Sequence, residues 1–124
     1  LNSVHCTRSR NGDALQLWAL LGLLNSPPAR LFYALDGGET RELLPQVHIS
    51  WLREFPLPPA WSEGPFLRAL ASLSRRMVAS FGNEGARRRL NDRLHQLVCQ
   101  GYGLSKAEAA QVLRAYLRRY KRYR

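Results

Sequence analysis

Acidic side chains are scarce in this chain, and that scarcity narrows its possible functions. Only nine of the 124 residues are Asp or Glu, whereas 19 are Lys or Arg, and the formal net charge is +10. The few acidic pairs, such as Asp36 with Glu39, are interpreted as solvated loop charges, so the paired carboxylates of a nuclease are missing. A chain with this much excess positive charge favours a polyanionic partner.

Cysteine is also rare, and nothing in the sequence has the spacing of a metal site. Cys6 and Cys99 lie far apart and are expected to be thiols in a reducing compartment, which predicts a cytoplasmic protein. The three histidines, His5, His48 and His95, are scattered, and a structural or catalytic zinc needs at least three convergent ligands. No metal is therefore expected.

No hydrophobic run is long and pure enough to suggest a membrane span. The most apolar stretch begins at Leu15, but Gln16, Asn25, the Pro27–Pro28 pair and Arg30 interrupt it. The start of the chain has no basic segment followed by a short apolar one, so no signal peptide is expected. Because the chain begins with Leu1 and not Met, a fragment, a processed product or one piece of a larger polypeptide is expected.

The first half of the chain predicts a buried helix with short strands on either side. Asp13 is placed to cap a helix that runs to about Ser26, breaks at the two prolines and resumes to Leu35. Apolar residues nearly surround this helix, which predicts burial. Residues 1–7 and 43–49 have the composition of strands, and a turn at 8–12 and a single helical turn at 51–55 complete the prediction.

The second half predicts three helices and carries all of the excess charge. Residues 63–124 contain 14 basic and four acidic side chains, whereas residues 1–62 contain five of each. Ser105 and Glu108 have the spacing of a capping box at the start of the third helix. We predict two domains, 1–62 and 63–124, with an α+β, mostly helical fold. A small β-sheet packs on the long buried helix, and a three-helix C-terminal bundle follows.

Three sequence segments, in this order, resemble a known family of DNA-recognition domains. They are LLGLLNS with ARLFY and LDGGE (residues 20–39), LPQVHISWLREFPLP (44–58) and RRRLNDRLHQLVCQGYGLSKAEAAQVL (87–113). Together they are similar to the C-terminal part of the TaqI-like target-recognition domains of adenine-N6 DNA methyltransferases. These specificity domains occur in type IIG restriction–modification enzymes and their phage-defence relatives. Residues 59–85 match the family least.

The resemblance implies recognition of duplex DNA without catalysis in this chain. Family catalysis needs an Asn/Asp-Pro-Pro-aromatic loop, but Asn25 is followed by an inserted serine, and Ala29 stands where the aromatic should be. That segment is interpreted as a helix break, and no cofactor is expected here. S-adenosylmethionine would belong to an N-terminal methyltransferase, possibly nuclease, region of the same enzyme, and that region is the expected protein partner.

The candidate DNA-binding residues are side chains that can reach base edges or phosphates. They lie on the first turn, around the second predicted strand and in the arginine-rich start of the second C-terminal helix: Arg8, Arg10, Asn11, Arg41, Gln46, His48, Arg87 and Arg88. Two alternatives stay open. The chain is an interaction module that docks on a separate catalytic part, or a basic helical protein whose arginine- and tyrosine-rich tail binds RNA or single strands.

Overall fold

Every secondary-structure element in the described part of the protein is a helix. The computed structural model describes Arg10 and residues 12–36 and 49–120. The helices are α1 (Ala14–Asn25), α2 (Pro27–Asp36), α3 (Ile49–Arg53), a short 3₁₀ helix (Pro59–Ser62), α4 (Gly64–Ala79), α5 (Glu84–Gly101) and α6 (Lys106–Arg119). Within these ranges there is no strand, so the predicted α+β class with a small sheet is wrong.

The place where a sheet was expected, against α1, is taken by helix α4. The two backbones approach so closely that a Cβ atom on Gly22 would lie 3.2 Å from Leu70 Cδ1 and 3.2 Å from Ser74 Cβ. Residues 1–7 and 43–48, where strands were predicted, lie outside the described residues. Ile49, predicted to end the second strand, begins α3. A short apolar run fits either a strand or a buried helical turn, which explains this error.

The predicted helix starts and breaks are confirmed by their hydrogen bonds. The backbone N–H of Leu15 donates to Asp13 Oδ1 at 2.9 Å, so Asp13 caps α1. The hydroxyl of Ser26 donates to the Leu23 carbonyl at 2.6 Å, and Pro27 then begins α2, where a missing N–H costs little. The 25–29 segment is thus a helix break, as predicted. The capping box at the start of α6 is also present.

The hydrophobic core lies among α1, α4 and α5 and joins the two sides of residue 62. Its fully enclosed side chains include Leu23, Leu70, Leu94 and Val98. On α1 the buried residues are Ala19, Gly22 and Leu23, so one side of this helix is buried and not its whole surface as predicted. The division into two domains at residue 62 stays a prediction.

Helix α6 is held against α2 and α5 by side chains that cross between them. Arg30 Nη1 donates to the Tyr116 hydroxyl at 3.3 Å, and the Tyr120 hydroxyl donates to the Arg30 carbonyl at 3.3 Å. His95, which is fully buried, places Nε2 at 2.8 Å from the carbonyl oxygen of Ala109. These contacts fix the position of α5, whose outer face carries the candidate site.

Candidate nucleic-acid interface

Helix α5 separates a buried apolar row from an exposed polar row. Leu90, Leu94 and Val98 are buried at successive turns. Four long polar side chains, spaced by four, three and four residues, lie on another face and are exposed: Arg89, Arg93, Gln96 and Gln100. Such spacing puts side chains in one line along a helix. We call these four residues the α5 polar row.

A groove between α4 and α5 lies along this row and has a volume of about 400 Å³. We call it the polar groove. It is lined by Ala69, Ser72, Leu73, Arg76, Asp92, Arg93, Gln96, Leu97 and Gln100. Ala69, Leu73 and Leu97 give it an apolar wall, and two guanidinium groups, two side-chain amides, a hydroxyl and the carboxylate of Asp92 complete the lining. Guanidinium groups neutralise phosphates and pair with guanine, and glutamine amides pair with adenine, so this combination suits nucleic acid.

The predicted site residues do not form this groove. Arg87 and Arg88 are exposed on the first turns of α5, but neither lines the polar groove. Arg10 is exposed in a turn before α1. Arg8, Asn11, Arg41, Gln46 and His48 lie outside the described residues. Arg10, Arg87 and Arg88 are exposed, and their contact with DNA stays a prediction.

Three of the residues that line the groove have a recognisable spacing in the sequence. Arg93, Gln96 and Gln100 recur at helical spacing opposite the leucines of the same helix, which marks one exposed face. The partner residue Arg76 comes from α4, and only the packing of α4 on α5 brings it to the same groove. Sequence alone offers no means of pairing it with Arg93.

Two other arginines are engaged in packing. The guanidinium of Arg75 lies over the Trp18 ring at 5.3 Å, which fastens α4 to α1. That of Arg30 lies 5.1 Å from the Tyr120 ring centroid and 5.9 Å from that of Tyr116. Such cation–π contacts stabilise the fold. The positive charge of the chain is therefore divided between structural and solvent-facing arginines.

His95 and Cys99 form a buried pair that the sequence analysis overlooked, although they lie four residues apart. Cys99 Sγ is 3.7 Å from His95 Nε2 and 3.9 Å from Nδ1. Burial raises the pKa of the Cys99 thiol to about 11, so it is protonated at neutral pH and a poor nucleophile. Among the described residues no group of three His, Cys, Asp or Glu side chains could hold a metal ion. The pair contributes to packing.

Comparison with known proteins yields no relative. No family model matches the chain, and neither does any curated protein or solved structure.

Proposed function

We propose that this chain binds duplex DNA through the α5 polar row and the polar groove, without catalysing a reaction itself. The observation that supports the proposal is the convergence of Arg76 and Arg93 with Gln96 and Gln100 on one exposed face. Phosphate contacts provide affinity, and arginine and glutamine are the side chains that most often read guanine and adenine.

The dimensions of the row suit a DNA groove. From Arg89 to Gln100 the helix rises about 16 Å at 1.5 Å per residue. The major groove, about 12 Å wide, admits one α-helix, and its floor presents a different pattern of donors and acceptors for each base pair. Arg76, from the neighbouring helix, is placed for a backbone phosphate at the edge of that groove. The helix would therefore carry both positioning and base-reading contacts.

The resemblance found in the sequence gives this binding a biological setting. In that setting the chain is the specificity portion of an adenine-N6 DNA methyltransferase or fused restriction–modification enzyme in the cytoplasm. The methyltransferase region, with its S-adenosylmethionine, is then the partner. Within the described ranges, no helix is both long and apolar enough to cross a membrane.

The test is fluorescence anisotropy with labelled random duplex and single-stranded DNA over a salt series. We expect micromolar duplex binding that weakens steeply with salt. Arg93→Gln should weaken binding about tenfold and reduce the salt slope by about one. The matched control is Arg114→Gln, which removes the same charge from an exposed position on α6 outside the groove and should have a smaller effect.

Two results would contradict the proposal. One is the absence of duplex binding even at low salt. The other is an equal loss in both variants, which would mean that net charge and not the groove attracts the DNA. A preferred sequence, selected from a random pool and lost in Gln96→Ala, would sharpen the proposal to sequence recognition.

The single-strand alternative is less well supported by the geometry of the tyrosines. The Tyr120 ring packs on Tyr116 with centroids 4.9 Å apart, and its hydroxyl bonds to the Arg30 carbonyl. That ring is used in packing rather than offered to a base. Tyr123 lies outside the described residues. The interaction-module alternative has a specific observation in its favour, a second groove of different chemistry.

A further inference from the structure

The second groove lies on another face of the α4–α5 pair, next to α1, and is largely apolar. We call it the apolar groove, and its volume is about 380 Å³. It is lined by Leu21, Gly22, Asn25, Arg30, Ser74, Met77, Val78, Phe81, Arg87, Asn91 and Leu94. Leu94 forms its buried floor, and Phe81 and Val78 form its rim.

The rim is unusually exposed for apolar side chains. Phe81 is 87% exposed, Val78 57% and Leu21 43%. Phe81 lies in the turn between α4 and α5, where it adds nothing to the core. Burying such a side chain in a complex would remove its apolar surface from water, and this would stabilise the complex. Clusters of this kind mark interaction sites more often than singly exposed apolar residues do.

The polar residues of the groove indicate which partner it fits. They are Arg30 and Arg87, with the amides of Asn25 and Asn91 and the hydroxyl of Ser74, and among the described residues no acidic side chain lines the groove. Arg30 is oriented by its bond to the Tyr116 hydroxyl, which uses one of the five N–H donors of a guanidinium. The remaining donors match a carboxylate.

We propose that the apolar groove binds a short acidic peptide segment of a partner protein. One bulky apolar side chain of the peptide packs among Phe81, Val78 and Met77, and its flanking carboxylates pair with Arg87 and Arg30. The volume accommodates one such anchor, and the formal charge of +10 attracts an acidic segment from a distance. This inference does not depend on DNA binding, because the described lining residues of the two grooves do not overlap.

Charge and shape disfavour the other occupants. A second copy of this chain would bring another strongly positive surface, and like charges oppose association. A nucleic-acid backbone would gain from the two arginines but would leave the apolar rim facing phosphates and water.

The experiment uses the full chain and a fluorescein-labelled peptide of about ten residues in which Leu and Phe are flanked by Asp and Glu. We expect micromolar binding by anisotropy. A peptide with Gln and Asn in place of the acids should bind at least tenfold more weakly. Phe81→Ser and Arg87→Gln should each weaken binding of the acidic peptide about tenfold. Phe81 is exposed, so circular dichroism and thermal unfolding of Phe81→Ser should match the wild type.

The matched controls are Leu57→Ser, at a 46% exposed leucine outside the groove, and Arg114→Gln. Both should retain peptide binding. Equal binding of the neutral peptide, or equal loss in groove and control variants, would overturn the proposal. So would a dimer in light scattering that Phe81→Ser dissociates, or displacement of the peptide by an oligonucleotide whose own binding Phe81→Ser abolishes.

Discussion

The polar and apolar grooves offer a comparison within one small molecule. Both lie along the α4–α5 pair, both have volumes near 400 Å³, and each contains two arginines, Arg76 with Arg93 and Arg30 with Arg87. They differ in what surrounds those arginines. Glutamine, serine and aspartate accompany the first pair beside alanine and leucine, whereas asparagine and serine accompany the second pair beside leucine, valine, methionine and phenylalanine. A guanidinium group therefore indicates an anion, and its neighbours decide which anion.

The two grooves arise from two rows on the same helix. On α4, Ala69, Ser72, Leu73 and Arg76 line the polar groove. Ser74, Met77 and Val78 of α4, with Phe81 in the turn that follows, line the apolar groove. Both rows have spacings of three, one and three residues, and the second begins five residues after the first. Five residues turn a helix by about 140° beyond a full turn, so the rows face different sides. One helix thus contributes to two surfaces of different chemistry.

The largest loss of folding stability should follow from truncating Leu94, which forms the floor of the apolar groove. Leu94 is completely buried, so Leu94→Ala should destabilise the fold by about 3–5 kcal/mol through lost burial and the cavity left behind. Urea denaturation measures this. Leu97→Ala, at a half-buried position in the polar groove, should cost clearly less. Equal losses would mean that Leu97 is packed as deeply as Leu94, contrary to their exposures.

A substitution at the end of α5 should weaken DNA binding at the polar groove more than peptide binding at the apolar groove. A Cβ atom on Gly101 would lie 2.6 Å from Phe66 Cε1 and 2.7 Å from Cζ, so in Gly101→Ala the Phe66 ring or the end of α5 must shift. Overpacking of this kind costs about 1–3 kcal/mol. Because Gln100 is adjacent and Arg87 is at the other end of α5, DNA binding should weaken more than peptide binding. Anisotropy with both ligands measures the two losses, and the opposite order would contradict the assignment.

The sharpest comparison exchanges the two arginines of α5. Arg93→Gln should weaken duplex DNA binding about tenfold, or about 1.4 kcal/mol, and leave the acidic peptide bound. Arg87→Gln should weaken peptide binding about tenfold and weaken duplex DNA binding less than Arg93→Gln does. Both variants remove one exposed charge from the same helix, so each is the control for the other. Parallel losses for both ligands would show that the grooves are not distinct sites.

A change away from both grooves should alter stability alone. Ser105 Oγ accepts from the Glu108 N–H at 3.1 Å, and Ser105→Ala should cost about 1 kcal/mol. Thermal unfolding measures this loss, and affinity for DNA and peptide should not change. Hydrogen bonds from the Ser105 backbone and then its side chain lower the pKa of Glu108. The stability that the charged Glu108 carboxylate contributes is fully present above the ordinary pKa of 4.5. It is lost as the pH falls through the lowered pKa of the folded chain.

At neutral pH the smallest effect on stability comes from two groups at the end of α5, the buried thiol of Cys99 and the half-buried hydroxyl of Tyr102. Burial raises the pKa of Cys99 from 9.0 to about 11 and that of Tyr102 from 10.0 to about 12. Between pH 9 and 12 the folded chain holds protons that the unfolded chain has released. Stability should therefore be unaffected below pH 9 and decrease as the pH rises through this window. Denaturant titrations should show a shallower decrease in Cys99→Ala from pH 9 and in Tyr102→Phe from pH 10, and unchanged slopes would contradict this account.

Much of the helical organisation could be predicted because its signals are local. Asp13, the Ser26–Pro27 break and the Ser105–Glu108 box each act through hydrogen bonds within a few residues, and all are found. The predicted sheet failed for the opposite reason. A short run of apolar and β-branched residues takes its conformation from what packs on it, and the described part of that run, at Ile49, is helical.

The sequence by itself determined the charge, the places where helices begin and break, and the separation of α5 into an apolar and a polar row. Only the tertiary structure decided which face of α1 is buried, since apolar residues surround that helix and several faces were equally suitable. It also decided which arginines meet, because Arg76 and Arg93 are 17 positions apart and come together only when α4 packs on α5. The periodicity of a helix can be read from one segment of the sequence. A groove is formed by two segments, and their relative position depends on the packing of the whole core.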